Sequence, residues 1–107
     1  MANYKTIKKE SPTGADILLA KSQIGFNPAD THRRFQISAT GLDGGTYTVS
    51  YTPINSPSII AYQKDASEAE AVVSDVDFLY DALIISFQNL GGSASPKIVA
   101  TFWAKGL

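Results

Sequence analysis

The sequence predicts an all-β fold, a single-domain antiparallel β-sandwich or barrel of about seven or eight short strands. Three observations lead there. Runs rich in β-branched and aromatic residues recur about every ten residues with Gly, Pro, Asn or Ser between them. The stretch RRFQISAT-GLDGG-TYTVSYTP, residues 33–53, reads as two alternating runs joined by a glycine-rich turn. Helix-favouring residues gather only in ASEAEAVV, residues 66–73, enough for a single turn at most.

Taken in order, the expected strands are 4–8, 16–24, 33–40, 46–52, 59–64, 71–76, 82–88 and 97–104. The first is set apart by Ser11-Pro12-Thr13-Gly14, so residues 1–13 are expected as an N-terminal arm or edge strand and 14–107 as the sandwich domain. In the third run Phe35, Ile37 and Ala39 share one face and Arg34, Gln36, Ser38 and Thr40 the other, because side chains alternate along a strand. The fourth run sets Tyr47, Val49 and Tyr51 against Thr46, Thr48, Ser50 and Thr52. These two runs are expected to pair into one sheet with an apolar and a hydroxyl-rich surface, across a turn at 41–45 whose glycines accept positive φ.

Later runs are less regular. Leu83, Ile85 and Phe87 fall together while Ile84 lies on the polar side, which suggests cover on both faces. In KIVATFWA either Ile98, Ala100 and Phe102 or Val99, Thr101 and Trp103 could be the core set, and the remaining face needs a partner. Ser67 followed by Glu70 has the form of a capping box. Ser56-Pro57 and Ser95-Pro96 read as turns or strand starts, because proline has no amide to give to a ladder.

Composition narrows function. A chain of 107 residues fits one domain and buries roughly two-thirds of its unfolded surface. With no cysteine there is no thiolate nucleophile, disulfide or Cys-type metal site, and the lone His32 excludes any site requiring two imidazoles. Nine basic and ten acidic residues leave a net charge of −1, so neither nucleic acid nor membrane is expected as a partner. MANYKTIKKE lacks the apolar stretch of a secretory signal, so synthesis in the cytoplasm is expected.

No residue cluster supplies chemistry convincingly, so no catalytic residue, metal or cofactor is expected. Asp75, Asp77 and Asp81 offer oxygen ligands, but Phe78, Leu79 and Tyr80 fill the interval where a calcium loop needs more of them. Carboxylate pairs of the kind that glycosidases use are available in any chain with this many acids. His32 with Asp30 and Ser22 or Ser38 lacks a nucleophile elbow, and Gly44-Gly45 and Gly91-Gly92 are too short to cradle phosphate. His32-Arg33-Arg34 with Lys8 and Lys9 has no aromatic interleaving to stack bases. Phe26, Tyr51, Tyr62 and Trp103 could form a platform for sugar rings, although core packing is the commoner role of such residues.

The segments FQISATGLDGGTYTVSYTP and LIISFQNLGGSASPKIVATFWAKGL resemble small structural proteins of tailed-phage virions, most of all capsid decoration or cement proteins. The likeness runs from about residue 33 to 107 and lies in general character, since the chain is short and cysteine-free, opens at MAN and closes on a strand that carries an aromatic. It implies a non-enzymatic sandwich on the capsid surface that binds across adjacent capsomers, often as a trimer, with a major capsid protein or another virion protein as partner. Tyr4 and Ile7 on the N-terminal segment, Phe26 and Trp103 are the residues expected at an interface. Open edge strands with few protecting lysines also point to a homo-oligomer. A tail, baseplate or fibre component and a carbohydrate-binding or adhesin-type module are the alternatives.

Overall fold

In the computed structural model, which describes residues 4–20, 32–53, 62–74 and 80–104, eight strands form two four-stranded sheets. They are β1 (Tyr4–Glu10), β2 (Ile17–Ala20), β3 (His32–Thr40), β4 (Thr46–Pro53), β5 (Tyr62–Ser67), β6 (Ala71–Ser74), β7 (Tyr80–Gln88) and β8 (Lys97–Ala104). The first sheet has the order β1-β8-β3-β6 and the second β2-β7-β4-β5, with every pairing antiparallel. Eight strands in these two interleaved orders make a jelly roll. Among the described residues there is no helix.

One expectation is overturned by this order. β3 and β4 do not pair with each other: β3 lies between β8 and β6, and β4 between β7 and β5. The turn at 41–45 carries the chain from one sheet to the other. The physical reason is that each strand has one apolar face, and crossing over lets those faces meet through the core instead of lying side by side on one surface. Phe35, Ile37 and Ala39 of β3 and Tyr47 and Val49 of β4 are all buried in that shared core.

Register decides the rest of the core. Phe35, Ile37 and Ala39 sit opposite Phe102, Ala100 and Ile98, so these three, and not Val99, Thr101 and Trp103, are the inward set of β8. The Phe35 and Phe102 rings meet at 6.4 Å, tilted by 42°, an arrangement that aromatic quadrupoles favour. From the second sheet Ile17, Leu19, Leu83 and Ile85 close the layer. Ile84 points outward, half-buried, beside Leu18 on β2 and Ser50 on β4. Thr48 and Ser50 also face outward yet are buried: the Thr48 hydroxyl reaches Asp65 Oδ1 on β5 at 2.6 Å and Gln88 Oε1 on β7 at 3.1 Å, so longer side chains from both neighbours lean over the strand.

Four connections gather at one end of the sandwich, where hydrogen bonds tie them together. The Glu68 carboxylate accepts from the amides of Gly41 and Leu42 at 3.2 and 3.1 Å, Asp43 accepts from Ser93 N at 3.0 Å, and Ser95 N donates to the Gly41 carbonyl at 2.8 Å. Leu42, fully buried, plugs this end of the core. Ser67 and Glu70 do bond as a capping box would, Ser67 N and Oγ donating to Glu70 Oε2 at 2.9 and 2.6 Å, but what they close is the β5–β6 turn. Those bonds hold the Glu70 carboxyl below the usual carboxylate range.

Two outcomes test this packing. Gly41 (φ 74°) lies where a Cβ would meet the Ser95 carbonyl oxygen, whereas Gly44 (φ 89°) has open space around it. Gly44→Ala should therefore cost only the left-handed backbone penalty of about 1–2 kcal/mol, and Gly41→Ala distinctly more, read from urea unfolding midpoints. Tyr47 is fully buried, and its hydroxyl donates to the carbonyls of Glu70 at 2.6 Å and Ile37 at 3.2 Å. Burial, and then the nearby Glu70 charge, push its phenol from 10.0 to about 12. The folded protein keeps a proton that the unfolded chain releases, so this contribution is intact below pH 10 and disappears between 10 and about 12. We expect stability to fall by about 2–3 kcal/mol across that window at about 1.4 kcal/mol per unit, and the fall to flatten in Tyr47→Phe.

Candidate interaction surface

Because β8 buries its even-numbered residues from 98 to 102, its odd-numbered ones face out, and the register of the first sheet arranges that outer face in rows. Tyr4, Trp103 and Arg34 stand in one row; Thr6, Thr101, Gln36 and Val73 in the next; Lys8, Val99, Ser38 and Ala71 in the third; Glu10, Lys97 and Thr40 in the last. Tyr4, Val99 and Val73 are exposed at 52%, 41% and 38%, and Trp103 is half-buried. The Tyr4 and Trp103 rings meet at 6.5 Å with a tilt of 39°, and the Thr6 and Thr101 hydroxyls lie 3.3 Å apart in the neighbouring row.

Charge is confined to the border of this face. Glu10 and Lys97 form an exposed ion pair at 3.6 Å, Lys8 lies on the outermost strand, and Arg34 stands in the row at the far end. The aromatic pair occupies the end row beside Arg34, Val99 adjoins Lys8 and Val73 lies on β6, so the face mixes exposed aromatic and aliphatic groups with a few charges, aromatic enrichment being one mark of protein interfaces. Seven paired residues by four strands span about 24 Å by 19 Å, a footprint on the order of 450 Å². A stable binary complex covers about 800 Å² on each partner, so one such face makes a weak contact and gains from many copies.

Of the residues expected at an interface, Tyr4 and Trp103 are brought together here. Ile7 pairs with Ala100 on the opposite face of β1 and packs against the core. Phe26 lies outside the described residues. Val99, Val73, Thr6 and Thr101 belong to the face as well; the signal for two of them was the alternation of KIVATFWA, whose unused side had no assigned partner. The expected sugar platform is dispersed, since Tyr51 packs on the core from the second sheet while Trp103 faces out from the first. Of the basic group, Lys8 and Lys9 lie on β1, and the side chains of His32, Arg33 and Arg34 lie outside the described residues. Ser22, Asp30, Pro57, Asp75 and Asp77 lie outside the described residues, among which no three His, Asp or Glu gather as a metal would need.

Fold and surface together describe a jelly-roll sandwich with one apolar, charge-bordered outer face. No family model matches the chain, and no curated protein matches it either. Among solved structures, the coat protein of Tobacco streak virus is similar over 94% of this chain and 85% of that chain, at 11% identity and a TM-score of 0.45.

Trp103 is the one tryptophan, which makes the face directly observable. Tyr4→Ala should raise acrylamide quenching of its fluorescence by removing the ring beside it, while shifting unfolding stability by no more than about 1 kcal/mol. Unchanged quenching would show that the two rings are not neighbours in solution.

Proposed function

We propose that this chain is a non-enzymatic virion structural protein that coats a phage capsid and stabilises it by binding across adjacent capsomers. The observation that carries this reading is the outer face of the first sheet: the Tyr4–Trp103 pair and the exposed Val73 and Val99 on a stiff sheet. The jelly roll agrees with it, since this architecture serves viral capsids, although lectins and cupins use it too and fold alone does not decide function. The likeness of the 33–107 region to phage decoration proteins points the same way.

Mechanism follows from area. A face on the order of 450 Å² binds weakly alone, but an array of copies straddling capsomer boundaries engages many sites on one rigid shell, and its joint release is slow. Apolar burial around Trp103 supplies the attraction, while the border charges set orientation. A copy that bridges two capsomers must be displaced before they can separate.

Adding the purified chain to undecorated shells should raise their disruption temperature until binding saturates, and Trp103→Ala should weaken that binding at least about tenfold. No thermal shift at saturation would overturn the shell-coating role. Attachment to isolated tails or fibres would move the protein to another part of the virion, and glycan binding abolished by Trp103→Ala would make it a carbohydrate-binding module.

A further inference from the structure

A net charge of −1 conceals a separation of charge across this molecule. The four connections at the tied end, residues 11–16, 41–45, 68–70 and 89–96, carry Asp16, Asp43, Glu68 and Glu70, all exposed, and no Lys or Arg. At the side of the sandwich β1 carries Lys5, Lys8 and Lys9. Glu10 is engaged by Lys97, and among the described residues no carboxylate lies within ion-pair distance of those three lysines.

β1 is also an open sheet edge. It is outermost in its sheet and runs over seven described residues. Among the described residues no strand pairs with its outer side, which leaves main-chain amides and carbonyls there as a docking line. The expectation of few edge lysines does not hold for this strand, and those lysines restrict what can dock: a second β1 would set lysine against lysine. What suits this edge is a rigid surface rich in carboxylates, able to accept from its amides and to pair with its ammonium groups.

We propose that the β1 edge of one copy docks against the acidic loop end of a second copy of this chain. Charge complementarity selects the occupant, and the loop end is held in shape beforehand by the bonds from Glu68, Asp43 and Ser95. The contact is heterologous, since each copy offers both halves. The edge faces sideways and the loop end faces along the strands, so successive copies turn instead of running straight, and a closed ring is the assembly in which every β1 edge is covered. The edge shares Lys8 with the border of the aromatic face, so the loop-end variant Asp16→Lys with Ala69→Lys, which touches no residue of that face, separates failure of this contact from failure of the shell-coating role.

Sedimentation velocity on the full chain tests it. At about 100 µM and about 20 mM salt the weight-average mass should exceed that of the monomer, and it should return to the monomer near about 500 mM as screening shortens to a few ångströms. The double variant Lys5→Glu with Lys8→Glu should weaken association at least about tenfold. Asp16→Lys with Ala69→Lys, which leaves the carboxylates of Asp43, Glu68 and Glu70 in place, should do the same. An equimolar mixture of the two variants should pair again, because the unaltered lysine edge of the second meets the unaltered acidic loop end of the first, with circular dichroism showing each folded. A monomer at every salt concentration, association that ignores both reversals, or a mixture that stays monomeric overturns the proposal.

Discussion

Everything in this protein depends on two sheets adhering through their inner faces, with one polar side chain reaching across between them. Phe35, Ile37, Phe102 and Ala100 from one side and Tyr47, Val49, Leu83 and Ile85 from the other are removed from water together. At roughly 25 cal/mol per Å² of apolar surface, that burial is the dominant favourable term. Tyr47 adds direction to it: anchored in β4, it gives its hydroxyl to carbonyls at Ile37 in β3 and at Glu70 beside β6, and so fixes how one sheet sits over the other. A phenol in an apolar layer is tolerable because its donor is satisfied.

Once the inner faces are committed, the two outer faces become different surfaces. That of the second sheet buries Thr48 beneath Asp65 and Gln88 but leaves Leu18 exposed on β2. That of the first sheet keeps Tyr4, Val99 and Val73 in water around Trp103. The flank and the loop end divide again by charge, lysines on β1 and carboxylates on the connections. A small sandwich can in this way present several chemically separate contact surfaces, which suits a molecule that covers others.

Much of this was legible locally. Alternation in β3 and β4 named the inward residues of both strands, and the leftover face of KIVATFWA held Val99 and Trp103. Where reading failed, the reason is physical. GLDGG looked like a hairpin turn, but it crosses between sheets, and its geometry is maintained by Glu68 and Ser95, which lie far away along the chain. Ser67 and Glu70 carry the same hydrogen bonds a helix start would use, and those bonds are equally served by a turn between strands. Ile7 shares β1 with Tyr4, yet three positions along a strand put a side chain on the opposite face.

Period-two patterning is a property of consecutive residues, so the sequence by itself determined that the chain is all-β, which side of β3 and β4 is dry, and that catalysis by thiol or paired imidazole is excluded. Strand partnership is a property of pairs distant in the chain, and alternation is the same whichever neighbour a strand takes. Long-range pairing alone places β8 between β1 and β3, and with it settles which half of KIVATFWA is core, that Tyr4 meets Trp103, and that Lys5, Lys8 and Lys9 lie on the β1 edge while Asp16, Asp43, Glu68 and Glu70 lie on the connections. Each of these required an antiparallel register that no single segment encodes.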